Sequence, residues 1–146
     1  MQCFLQKNTA PVLKGGEMQG LEFDPVLRMF ILTEEEMRKA GVDIQSRLGV
    51  VGNTNKDAVI KQFLKQVSFL IYSKIRHNAY LCDNNTIAQA LLKEALIEQA
   101  IYVLANGDLS KSTDPQLRAI AIAPAVDTIL SQPIGNSGIS LLYCGV

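Results

Sequence analysis

The chain has 146 residues, 48% of them apolar and 19% charged, with 14 Lys plus Arg balanced by 14 Asp plus Glu. That length fits one ordinary domain able to bury roughly two thirds of the surface its unfolded form exposes, without disulfide or metal staples. Charge below the roughly 25% of a typical soluble domain points to buried interfaces, and a formal net charge of zero disfavours a polyanion partner held mainly by phosphate neutralisation.

Residues Met1 to Gln19 carry Pro11 and Gly15-Gly16 and show no useful periodicity, so they read as an extended arm. Phe23-Asp24-Pro25 reads as a turn, and Val26 to Leu32 as either a strand or the beginning of a helix. Thr33 to Glu36 has the form of a capping box, with carboxylates on the positive end of a helix dipole, and Gly41 stops that helix after about two turns. Asp43 is placed to cap a further turn through Leu48. Between Thr54 and Arg76, Val59, Ile60, Phe63, Leu64, Val67, Leu70, Ile71 and Ile75 recur at spacings of three and four, which predicts a long amphipathic helix. A second long helix is predicted from Asn85 or Thr86 to Asn106, with Ile87, Leu91, Leu92, Ala95, Leu96 and Ile101 apolar and Asn106-Gly107 as its stop. The short link between them makes the two antiparallel neighbours.

Asp114-Pro115 is an N-cap followed by Pro at the first helical position, yet residues 116–123 also alternate like a strand, so both readings stand. Pro124 to Ser131 reads as a short helix with Val126, Ile129 and Leu130 inward. The expected fold is all-α, a helical bundle built on the long antiparallel pair, with an extended N-terminal arm (1–31), a helical core (32–131) and an extended apolar C-terminal tail (132–146).

The chemistry of catalysis is sparse. Cys3, Cys82 and Cys144 are far apart and His77 is the single histidine, which argues against a zinc site or disulfide framework and fits reduced thiols in a cytosolic setting. His77 at a predicted helix end suits the dipole. Glu34, Glu35 and Glu36 occupy consecutive helix positions that point in different directions, so they do not converge on a metal. The Gly15-Gly16 and Gly49 to Gly52 stretches lack the Lys-Ser/Thr of a phosphate loop and the spacing of a dinucleotide fingerprint. No enzyme activity and no cofactor are expected. The lysines at 56, 61, 65 and 74 with Arg76 have no aromatic interleaving, and read as a solvated or lumen-facing surface rather than a nucleic-acid face. Met1 to Ala10 is not laid out as a signal peptide, and the apolar run Ala119 to Val126 is too short to span a bilayer, so no membrane association is expected.

The uncharged stretch Ile139 to Val146 either folds back on its own domain as an added strand or docks on a neighbouring subunit by strand addition. The second reading makes Phe4, Leu5, Ile139, Leu141, Leu142, Tyr143 and Val146 the protein-contact residues.

Leu32 to Glu36 as a "Leu-Thr-x-Glu-Glu" helix start, the long helix Thr54 to Arg76, a second from Thr86 to an Asn-Gly-Asp stop at Asp108, and the Pro-introduced helix Ala123 to Leu130 together resemble the head-to-tail connector (adaptor, head-completion) proteins of tailed bacteriophages. The resemblance covers about residues 32–131. The chain differs in its long segment before Leu32 and in lacking the hairpin-like insertion many members carry before the last helix. The resemblance implies a helical, non-catalytic virion protein of the neck, assembled in the host cytoplasm. It also implies a homo-oligomeric ring, dodecameric in the family, between the portal protein and a tail-side neck or stopper protein, with DNA only as passing cargo. From another class, the sequence also fits a small helical oligomeric binding or regulatory module of the cytoplasm.

Overall fold

The computed structural model describes residues 20–135 and 138–142. Strands β1 (Leu21–Asp24) and β2 (Met29–Leu32) form an antiparallel hairpin in which Phe23 lies opposite Phe30. The helices α1 (Glu34–Lys39), α2 (Ile44–Leu48), α3 (Lys56–Ile75), α4 (Thr86–Asn106), α5 (Pro115–Ala119) and α6 (Pro124–Leu130) follow, with 3-10 turns at Ala79–Asp83 and Leu109–Lys111. The molecule is mostly helical, as expected, but it is not all-α.

The hairpin corrects the expectation of an extended arm through residue 31. Asp24 turns the chain: its carboxylate accepts the N–H groups of Val26 and Leu27 at 2.9 and 3.0 Å, and its carbonyl accepts that of Arg28 at 2.7 Å. Arg28 completes the reversal with φ of 56°, a left-handed conformation rare for a non-glycine residue. All four residues of β2 are buried, covered on both faces. Residues 20–31 therefore belong to the folded domain, while residues 1–19 lie outside the described ones.

At the start of α1, Thr33 Oγ1 accepts the Glu36 N–H as a cap should, but the reciprocal half of the capping box does not form. Instead, the Glu36 carboxylate reaches Lys93 of α4 at 3.1 Å and Lys39 at 3.2 Å, while the Thr33 N–H goes to the Gly20 carbonyl. Gly20 is required there. Its φ is +82°, and a Cβ would stand 2.5 Å from Glu36 Cδ. Asp43 caps α2 through Ser46, and Gly49 ends it in the left-handed conformation.

Along α3 the buried residues are Ile60, Phe63, Leu64, Val67, Ser68, Ile71 and Ile75, the apolar ones all on the predicted stripe, with Val59 and Leu70 at its half-buried edges. α4 packs on α3 and on α6, burying Leu91, Leu92, Ala95 and Leu96. Ile87, expected inward, is 50% exposed: the buried stripe begins at Ala88, and Ile87 stands about 100° round the helix from it. Further along, the buried Gln99 side chain donates to the Ala121 carbonyl at 2.9 Å and accepts from the Ala123 N–H at 2.8 Å. That amide fixes the chain where it leaves α5, and the small residues Ala121 and Ala123 let it pass close to α4. α5 ends at Ala119, so residues 116–123 are one short helical turn and a link, not a strand. Val126, Ile129 and Leu130 of α6 face inward as predicted.

The described part of the expected extended tail, residues 132–135 and 138–142, folds back on its own domain, and none of these residues forms a strand. Ile134 and Leu141 lie in the core, Leu141 with no exposed surface. The Leu142 N–H donates to the Leu130 carbonyl at 3.0 Å, and Asn78 Nδ2 donates to the Ser140 carbonyl at 3.0 Å. Leu141→Ala is expected to cost about 2–5 kcal/mol, the range for truncating a buried leucine, measured by urea unfolding. Deletion of residues 134–146 is expected to lower the melting temperature sharply rather than leave it intact.

Two carboxylates titrate below their ordinary range. At Asp24 the Leu27 N–H bond outweighs the opposing effect of burial, helped by Val26 N–H, Lys65 and Lys61. At Glu36 burial pushes the carboxyl up, but Lys93 and Lys39 together prevail. A folded pKa below the unfolded one gives stabilisation that is complete above the unfolded value and is lost as pH falls through the folded value. The melting temperature is therefore expected to fall as pH drops below about 4, and Glu36→Gln to flatten that fall relative to the parent while lowering stability at neutral pH.

Candidate functional site

The hairpin, α3 and the 79–83 turn enclose an open groove of about 470 Å3. Its walls carry two of the chain's five phenylalanines and two of its four tyrosines. Phe23 comes from β1, Phe30 from β2, Tyr72 from α3 and Tyr80 from the turn. Their positions follow from local bonding. Phe30 turns its backbone polar groups away from β1: its N–H donates to Tyr72 Oη at 3.0 Å and its carbonyl accepts from Ser68 Oγ at 3.1 Å. Ser68 and Tyr72 are four residues apart on α3, so one helix face satisfies both groups.

Across the strand pair, the Phe23 ring meets Phe30 edge-on, with centroids 5.2 Å apart at 65°. Phe23 and Tyr80 remain 38% and 63% exposed. Burial pushes the Tyr72 phenol well above its usual value, more than the Phe30 N–H lowers it, so it stays a neutral hydroxyl. Arg28 and Asp83 also line the groove, and neither makes an ion pair among the described residues. Cys82 within the turn is buried, its thiol pushed up to about 12 by burial and by Asp83, and so is inert as a nucleophile.

A second unpartnered surface is α5. Asp114 caps it through the Gln116 N–H, Pro115 opens it and Arg118 Nη1 donates back to the Ser112 carbonyl, yet none of its five residues is buried. Leu117 and, one residue past its end, Ile120 share a face three positions apart and are 39% and 52% exposed. Tyr102 Oη donates to the Ile120 carbonyl at 2.7 Å and holds this corner against the far part of α4. The groove ends at Asp83, three residues before α4, while Tyr102 holds α5 near the other end, and the α4 stretch from Thr86 to Tyr102 is roughly 24 Å long at 1.5 Å per residue.

The sequence-predicted contact residues do not assemble into one face. Phe4, Leu5, Tyr143 and Val146 lie outside the described residues, Leu141 is buried in its own chain, Leu142 is half-buried, and Ile139 is 46% exposed. Leu141 is thereby removed as a contact to another subunit. Of the α3 cations, Lys65 and Lys74 bond Asp24 and Asp127 at 3.8 and 3.4 Å. Among the described residues, no cluster of His, Cys, Asp and Glu is placed to hold a metal ion, and no helix is long and apolar enough to cross a membrane. The groove escapes sequence reading because its aromatics are spread from residue 23 to residue 80 with no shared period. The available signal is Ser68 with Tyr72, two hydroxyls interrupting an apolar helix face. No family model, curated protein or solved structure matches this chain.

Tyr72→Phe is expected to leave the fold in place but cost about 1–3 kcal/mol, because it strands a buried backbone donor. Hydrogen exchange reads this directly, with the Phe30 amide exchanging faster than in the parent while amides of α6 change only with global stability.

Proposed function

We propose that this chain is a structural, non-catalytic subunit of a tailed-phage neck: a head-to-tail connector that assembles as a ring between the portal protein and a tail-side neck or stopper protein. The observation that carries this reading is the pair of unlike apolar surfaces toward opposite ends of α4, the aromatic groove and α5, none of whose residues is buried. A self-complementary patch makes a closed dimer, whereas two different patches on one chain generate heterologous contacts, which close into rings when the rotation allows. Low charge content and zero net charge support the same reading, since little of the surface is committed to solvation and DNA is not attracted to it.

In this reading α3 and α4 form the antiparallel core pair of the subunit, and DNA passes through the ring as cargo. No cofactor takes part. The segments outside the described residues, 1–19 and 143–146, fasten the ring to its neighbours in the virion, in place of the buried Leu141. Assembly takes place in the host cytoplasm.

The test is to mix the purified chain with the portal protein of the same phage and image the product. The expected result is added ring density stacked coaxially on the portal. A discrete soluble dimer indifferent to the portal would instead support a cytoplasmic regulatory module. The isolated chain is also expected to leave linear duplex DNA unshifted at physiological salt.

A further inference from the structure

We infer that α5 of one copy seats in the aromatic groove of the next, with Leu117 and Ile120 between Phe23, Tyr72 and Tyr80, and with Arg118 facing Asp83. The inference rests on the ring reading only in supplying its contact, and stands on four observations of its own. First, none of the five residues of α5 is buried within its own chain. Five residues are far too few for a helix to be stable alone, so its caps and the Tyr102 bond hold in place an element whose apolar residues Leu117 and Ile120 stay 39% and 52% exposed.

Second, the groove is concave and aromatic where α5 is convex and aliphatic. Its volume falls within the roughly 300–1,000 Å3 of clefts that bury a small ligand, room enough for the two side chains.

Third, the charges match. The groove presents one cation and one anion, Arg28 and Asp83, neither ion-paired among the described residues. α5 presents one of each in turn: Asp114 at its start and Arg118 one helical turn later. With Arg118 over Asp83, the charges left to pair are Asp114 and Arg28, so both pairs are opposite in sign. Fourth, the groove and α5 of one copy lie toward opposite ends of α4, whose stretch from Thr86 to Tyr102 is about 24 Å long, so a chain does not fill its own groove. The occupant of each groove is another copy, and the contact is heterologous by construction.

The test is disulfide trapping, which captures contacts too brief for chromatography. In a full-length background with Cys3→Ser and Cys144→Ser, Tyr80→Cys and Ile120→Cys are placed in separate chains. Both positions are exposed, so folding is preserved, and circular dichroism verifies it. On mixing and mild oxidation, the 80–120 dimer is expected at no less than about fivefold the yield of either variant alone, and of Tyr80→Cys mixed with a Val51→Cys control, because a specific contact raises local thiol concentration. Adding Asp83→Lys to the first chain is expected to reduce that yield by about tenfold through like-charge repulsion with Arg118, and Arg118→Glu in the second chain to restore it. An 80–120 yield no higher than the controls, or a charge swap that fails to rescue, overturns the proposal. If rings form on the portal without 80–120 trapping, this contact is wrong and the connector reading stands. If trapping is specific but no ring joins the portal, the connector reading falls and the contact stands.

Discussion

The structure depends on two hydroxyls of α3 that take the place of a third strand. A two-stranded hairpin leaves an open edge on each side, and an open edge against a core strands backbone donors and acceptors where water cannot reach them. Ser68 and Tyr72, one helical turn apart, supply respectively the donor and the acceptor that Phe30 needs on the edge facing α3. This lets β2, apolar at all four positions, sit inside the core of a domain that is otherwise helical. It also fixes Phe30, and through the edge-on ring contact Phe23, at the mouth of a groove whose third aromatic is Tyr72 itself. The bonds that bury the hairpin are the bonds that shape the surface.

The same economy recurs along α4. Glu36 and Lys93 tie α1 to its middle, Gln89 donates to the Cys82 carbonyl near its start, and Gln99 grips the 121–123 link near its end. Each is a buried or nearly buried polar group with its partners in place, and such groups fix one arrangement more than they add stability, because removing either partner is costly while the pair itself contributes modestly. The consequence is geometric: the groove at one end and α5 at the other are held at a set separation and orientation. A heterologous contact that must close a ring requires that rigidity, since small errors in the angle between successive subunits accumulate around the axis.

The helices were legible in the sequence because burial on one side imposes a period that residues must obey. α3, α4 and α6 appear with nearly their observed inner faces, and Thr33, Asp43, Asn85 and Asp114 cap where their side chains predict. The hairpin was less legible because Met29 to Leu32 is a continuous apolar run of four, covered on both faces, and such a run carries no alternation to mark a strand. Its cue was the Asp24-Pro25 turn. The fate of the tail was illegible for another reason. An alternating apolar segment declares that it wants cover, but the sequence does not state whose surface supplies it; Leu142 bonding to Leu130 and Ser140 bonding to Asn78 are long-range pairings with no local signature. α5 shows the converse: its Asp-Pro start is plain in the sequence, while the lack of burial of its five residues is a property of the fold alone.

On the proposed reading, exposed aromatic and aliphatic surface on a chain of such low charge carries a hazard that the design has to contain. A few apolar side chains buried at about 1.5–3 kcal/mol each do not much exceed the 4–15 kcal/mol that free association costs in lost translational and rotational freedom. A single groove-to-helix contact between free subunits is therefore weak, which protects the chain from open-ended polymerisation before assembly. Subunits lined up on a symmetric partner already have that freedom removed, so the same contact, repeated around the axis, becomes effective through local concentration. Weakness in solution and firmness in the assembly then follow from one interface, and the rigid span of α4 decides whether successive contacts close on themselves or run on as a filament.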